Sequence, residues 1–166
     1  MKTIKLLLLL PCLFGILGCD NPVIEIPTGD RTFSCYVNGD LFLPRGNSGG
    51  VMPVGDGISI LLGDDFYNFL AKDYRNYTIY FKINNPQLGS FNLEESDGLL
   101  PGSDNRDITH AIVRKNGVIY ISKPGSGTIT LDEYSEENRK GSFEFIVYRQ
   151  DNPTKKLIIT EGKFDD

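Results

Sequence analysis

The chain has 166 residues, of which 40% are hydrophobic and 23% charged, with a formal net charge of −5. That length points to one domain and that composition to a globular chain, not a disordered or collagen-like one. One histidine and three scattered cysteines cannot furnish a zinc-finger ligand set, and the acidic balance argues against nucleic acid as a partner.

The first segment is an address. Residues 1–5 are short and basic, and residues 6–17 form an apolar run interrupted by Pro11 and Cys12. The run is too short to cross a bilayer as a helix, which takes about 20 residues. It reads as a secretory signal peptide, residues 1–18, and stands outside the fold. The junction Ile16-Leu17-Gly18-Cys19 resembles a bacterial lipobox: an apolar residue, a small residue, then a cysteine. Leu17 is bulkier than the common choice at its position. The resemblance implies cleavage between Gly18 and Cys19 and a covalent lipid on Cys19. Two or more acyl chains anchor a protein stably, at about 0.8 kcal/mol per buried CH₂. The expected partner of this end is therefore a membrane, and the expected location is the cell envelope, at the outer membrane. No cofactor besides the lipid is expected.

Cleavage would leave 148 residues and remove Lys2 and Lys5, so that 15 bases face 22 acids and the charge becomes −7. A chain near 150 residues buries about 68–70% of its unfolded surface and needs no disulfide to fold. Cys35 would then be the one cysteine neither discarded nor lipidated. It is either a small buried hydrophobe or a free reactive thiol. Residues 19–31 hold the lipidated cysteine and a flexible tether with Pro22, Pro27 and Gly29. Twelve residues of coil span about 20 Å.

Residues 32–166 read as a single all-β domain. Residues 33–37 alternate, Asn38-Gly39 follows, and a second β-rich run begins at Asp40. Residues 110–115 and 118–122 repeat this arrangement around Asn116-Gly117. Asn-Gly between two such runs is the strongest local hairpin signal, because a type I′ turn needs φ > 0 at both central residues. Further strands are expected at 58–62, 77–84, 91–94, 128–134, 141–148 and 156–164, while 66–70 fits either a helical turn or a strand. Residues 46–57 and 99–107 read as loops. About nine or ten short strands with hairpin connections imply an antiparallel β-sandwich or barrel-like domain. The expected core is Phe33, Cys35, Val37, Ile79, Phe81, Ile83, Ile112, Ile119, Ile121, Phe143, Phe145, Val147, Ile158 and Phe164.

Three segments carry a wider resemblance. They are residues 32–39 (TFSCYVNG), residues 125–131 (GSGTITL), and Gly141-Ser142-Phe143-Glu144-Phe145 with the closing Ile159-Thr160-Glu161-Gly162-Lys163-Phe164. Together they resemble a family of Bacteroidota lipoproteins of unknown function with an all-β domain. Its motifs are turn and core residues, so the resemblance implies a fold and assigns no catalytic residue.

Few residues are arranged for chemistry. His110 is the only histidine, so any Ser-His-Asp or Cys-His arrangement must use it, and its place at a strand start suits a structural role. No G-x-S-x-G elbow and no H-E-x-x-H motif is present. Acidic groups fall in or beside turns: Asp64-Asp65, Glu94-Glu95 with Asp97, Asp104 with Asp107, and Asp132-Glu133 with Glu136-Glu137. A solvated surface, a Ca²⁺ site or a catalytic carboxylate pair each fits them, and no metal ligand set is assigned. Tyr36, Tyr80 and Tyr148 fall opposite the expected core residues of their strands. If those strands were neighbours, a tyrosine row could stack sugars or a partner protein. Ordinary cross-strand packing is the alternative. The sequence thus leads to a lipid-anchored envelope protein, not an enzyme, that serves as a binding or structural module for a glycan or an envelope protein. The alternative is a minor glycoside hydrolase using paired turn carboxylates.

Overall fold

The computed structural model describes residues 28, 31–46, 55–100 and 106–166. The signal peptide with Gly18, the lipidation site Cys19, most of the tether and Asp104 lie outside the described residues. The described chain is all-β: β1 (Thr32–Val37), β2 (Asp40–Phe42), β3 (Ile58–Leu62), β4 (Phe66–Lys72), β5 (Tyr77–Asn84), β6 (Gly89–Asn92), β7 (His110–Lys115), β8 (Val118–Ile121), β9 (Gly127–Tyr134), β10 (Arg139–Arg149) and β11 (Lys156–Asp165). Both Asn-Gly pairs take the conformation their chemistry favours, with φ of 53° and 88° at Asn38-Gly39 and 50° and 79° at Asn116-Gly117. The ambiguous segment 66–70 is a strand, because it is paired on both sides, with β3 and with β5.

All pairings are antiparallel, in the order β2-β1-β11-β10-β8-β7-β5-β4-β3, and the sheet is not closed into a barrel. The long strand β10 divides it. Residues 139–145 pair with β9, which also carries β6, and only Tyr148 and Arg149 pair with β8. The sheet therefore splits along one edge of β10 and folds over itself. Rings from the two layers meet in between: Phe33 stacks on Phe69 at 5.3 Å, and Phe81 lies 5.6 Å from Phe143.

The β10–β11 pair shows how the layers come so close. Gly141 sits opposite Phe164, and Phe143 sits opposite Gly162. Each phenylalanine covers the glycine of the other strand. A Cβ on Gly162 would lie 2.5 Å from Phe143 Cζ, and one on Gly141 would lie 2.7 Å from Phe164 Cζ and against the Thr130 carbonyl of β9. Both rings lie 5.2–5.6 Å from Phe81.

Ile158 fails as a core expectation, and in the β7–β8 hairpin Ile112 and Ile121 are buried as expected while Ile119 is only half-buried. Ile158 is 40% exposed, whereas Leu157 and Ile159 are buried. A bulge intervenes: Phe143 pairs with Gly162 but Phe145 pairs with Ile159, so β11 carries an extra residue, and Glu161 there has φ of 51°. An extra residue reverses the inside–outside parity of everything before it. Ile112 is buried, but outside the main core, in a cluster with Leu70 and Tyr80 against which Ile119 packs. Ile121 pairs with Ile112 and shares its face. Ala111 and Val113 face the main core instead. Both faces of this hairpin are apolar, so alternation alone could not tell which turned inward.

The glycine–phenylalanine exchange makes a direct prediction. Gly162→Ala and Gly141→Ala should each destabilise the domain by about 1–3 kcal/mol through overpacking, and Phe143→Ala by about 3–5 kcal/mol. Urea unfolding followed by circular dichroism measures all three. A neutral Gly162→Ala would contradict the packing described.

Candidate functional site

The chain enters and leaves the sheet at one end. Thr32 pairs with Asp165, and Arg139 and Asp166 exchange backbone hydrogen bonds. The far ends of β1, β4, β7 and β10 carry the turns at 38–39, 73–76, 116–117 and 150–155. Backbone bonds tie these turns to the rest of that end: Asn116 N–H donates to Asn76 O at 2.9 Å, and Gln150 N–H to Ile119 O at 3.0 Å. The antiparallel topology thus collects four hairpin turns opposite the chain ends.

Three clefts lie at this turn end: one of about 440 Å³ between Val118 and Asp151, and two that adjoin each other at residues 75–77. The larger of the adjoining two, about 490 Å³, opens between β2 and the 73–76 turn and is lined by Asp40, Phe42, Arg45, Arg75, Tyr77 and Lys115, among others. The second, about 340 Å³, shares Arg75 and Tyr77 and adds Lys72, Tyr74, Thr78 and Arg114. The segment 75–77 is the ridge between them.

Local structure fixes these side chains. One Asp73 carboxylate oxygen accepts the backbone N–H groups of Arg75, Asn76 and Tyr77 at 2.8–2.9 Å, a short polar side chain ordering a turn. Arg45 N–H donates to Lys72 O at 2.9 Å, which ties the chain after β2 to the end of β4. Tyr74 takes a left-handed conformation, φ 56°, and is 49% exposed. Such a backbone is unusual for a bulky residue and costs energy, and strain of this kind collects at functional positions. Lys115 lies over the Tyr77 ring at 5.1 Å, and its hydrogen bond to Tyr77 raises its pKa above the ordinary lysine value, so it remains charged.

Charge distinguishes this end. The chain has seven arginines. Arg31, Arg106, Arg139 and Arg149 each pair with an aspartate. Arg45, Arg75 and Arg114 make no salt bridge among the described residues, and all three line the two clefts. The Arg114 Nε is buried and has no hydrogen-bond partner there. Five cations and two carboxylates therefore surround these two clefts of an acidic protein.

The residues singled out in the sequence stand elsewhere. Tyr80 is buried, 1% exposed, and donates a hydrogen bond to Asn68 Oδ1 at 3.1 Å. This corrects its assignment to an exposed tyrosine face: Ile112, Leu70 and Leu100 cover it. Tyr80 and Tyr148 do lie in one cross-strand row, but Ile112 and Ile121 separate them. Tyr36 pairs with Thr160 on the other side of β10, and both Tyr36 and Tyr148 are half-buried. The three tyrosines are not brought together.

His110 is fully buried at the start of β7, edge-on to Tyr80 at 5.6 Å. Cys35 is fully buried, and burial pushes its thiol pKa far up. Asp64, Asp65, Glu94, Glu95 and Asp97 are exposed, as are Asp107, Asp132, Glu133, Glu136 and Glu137. None of these ten lines a turn-end cleft. Among the described residues no group of three or more His, Cys, Asp or Glu could hold a metal ion, and no helix is long and apolar enough to cross a membrane.

The turn-end arginines escaped the sequence reading because they come from positions 45, 75 and 114. Only the sheet order brings these together. The usable signal was local: Asp73-Tyr74-Arg75-Asn76 is a polar turn with a bulky aromatic at its tip. Comparison of the chain with known protein families, with curated proteins and with solved structures finds no match.

Two outcomes follow from this geometry. Peptide-level alkylation mapping should find Cys35 unmodified in the native protein and modified in denaturant; rapid native labelling would show that the site opens. Asp73→Ala should cost roughly 1 kcal/mol or more, since three backbone donors lose their acceptor. Asp73→Asn should cost less, as its amide oxygen keeps an acceptor, and thermal melts of both variants give the comparison.

Proposed function

We propose that this protein is a lipid-anchored module of the bacterial envelope that binds a ligand through its hairpin-turn end and performs no chemistry on it. The observation that carries the reading is the gathering of three arginines, without carboxylate partners among the described residues, around two clefts at the end remote from where the chain enters the sheet. The Gly18-Cys19 junction supports the anchor, with Thr32 thirteen residues beyond Cys19. The chain enters the domain at Thr32, at the end opposite the turns. The inaccessibility of His110 and Cys35 supports a binding role over nucleophilic catalysis.

The hydrolase alternative draws on a different pair from the acidic clusters considered in the sequence. Asp40 and Asp73 both line the larger cleft. Asp73 already serves three backbone donors, which argues for a structural carboxylate. Release of reducing ends from a polysaccharide, abolished by Asp40→Asn, would favour this alternative.

The anchor has its own test. Cys19→Ser should move the protein from the membrane fraction to the soluble fraction and from the detergent phase to the aqueous phase. Unchanged fractionation would remove the anchor from the proposal.

A further inference from the structure

We propose that the two clefts flanking the 75–77 ridge together hold an acidic polysaccharide that crosses the ridge, with the row Lys72–Thr78–Arg114 receiving a sugar carboxylate. This deepens the binding-module reading and rests on it. Lys72 pairs with Thr78 across β4–β5, and Thr78 pairs with Arg114 across β5–β7. Directly paired residues share a face, and Ile79 beside Thr78 faces the core, so this row faces outward. It sets two cations two strand spacings apart, about 10 Å, with a hydroxyl between them. Neither cation has a carboxylate partner among the described residues.

The surroundings favour a sugar acid over a bare anion. Tyr74 stands exposed on the rim of the same cleft and offers apolar ring area for the C–H face of a pyranose. Asn76 and Asn116 line both clefts. Each can donate and accept, as sugar hydroxyls require. Across the ridge at 75–77, Arg45, Arg75 and Lys115 supply a second cationic group beside the Tyr77 ring. A chain carrying one carboxylate per unit would meet both groups in turn. Asp40, on the wall of the larger cleft, weakens the positive field there, which disfavours a densely charged polyanion.

The test uses the full-length protein in detergent, with affinity electrophoresis and calorimetry at low salt. The probes are polygalacturonate and alginate, with dextran and polyphosphate as neutral and sugar-free controls. At least one acidic polysaccharide should bind, and dextran and polyphosphate should bind at least tenfold more weakly. Lys72→Gln combined with Arg114→Gln should weaken binding about tenfold or more, as should Tyr74→Ala, with melting temperatures near that of the parent. Failure of both acidic polysaccharides, equal binding of polyphosphate, or unchanged binding by the folded double variant would overturn the proposal. If it fails while Cys19→Ser still releases the protein from membranes, the ligand class falls and the anchored module stands.

Discussion

The structure depends on the way Phe143 and Phe164 each lie across a glycine of the opposite strand. Without side chains at Gly141 and Gly162, the two rings can lie flat against the β10–β11 backbone. They then form a floor on which Phe33, Phe69 and Phe81 sit, with centroids 5.1–5.6 Å from one ring or the other. Aromatic pairs of this kind are worth about 0.5–1.5 kcal/mol each beyond their area. Their larger contribution here is geometric. Gly141 also admits the Thr130 carbonyl, so β9 is drawn against β10 by the same absence of a side chain.

That contact sets the position of the turn end. Because β9 occupies β10 as far as Phe145, β8 can join only at Tyr148 and Arg149. The second layer is therefore displaced along β10 toward its far end. The displacement carries the β7–β8 and β4–β5 turns up to the β1–β2 hairpin, and the clefts are the space left between them. The Arg45–Lys72 backbone bond then links the two margins of the folded sheet without a full ladder. The cost of an unclosed sheet is an exposed edge. The cations of the turn end come from the segment after β2, from β4, from the 73–76 turn and from β7.

Much of the fold was legible in the chain. The two Asn-Gly turns, the alternation of β5 and the G-x-F repeats are local signals, and local chemistry decided them. The failures share a cause. Ile158 was misassigned because one extra residue near Glu161 reverses parity, and a bulge leaves no mark in the alternation that precedes it. Tyr80 was misjudged, and Ile112 was rightly expected to be buried but lies in a second cluster, because the segment between β6 and β7 gives the second layer a covered outer face. A strand apolar on both sides does not declare which side is the core. The candidate site was not legible at all, since Arg45, Arg75 and Arg114 become neighbours only through a sheet order that no local pattern encodes.

The electrostatics give this end a role beyond contact. The seven charged residues lining the two clefts are five bases and two acids, so the rest of the chain holds twelve bases against twenty acids. The turn end is thus a cationic group on a chain whose remaining charge is acid-rich. Such a distribution orients encounter as well as strengthening it, and both effects fade beyond about 8–10 Å at physiological salt. Charge alone would not select one polyanion from another at that range. Selection must then come from the groups in contact: the exposed ring of Tyr74, the amides of Asn76 and Asn116, and the hydroxyl of Thr78 between its two cations.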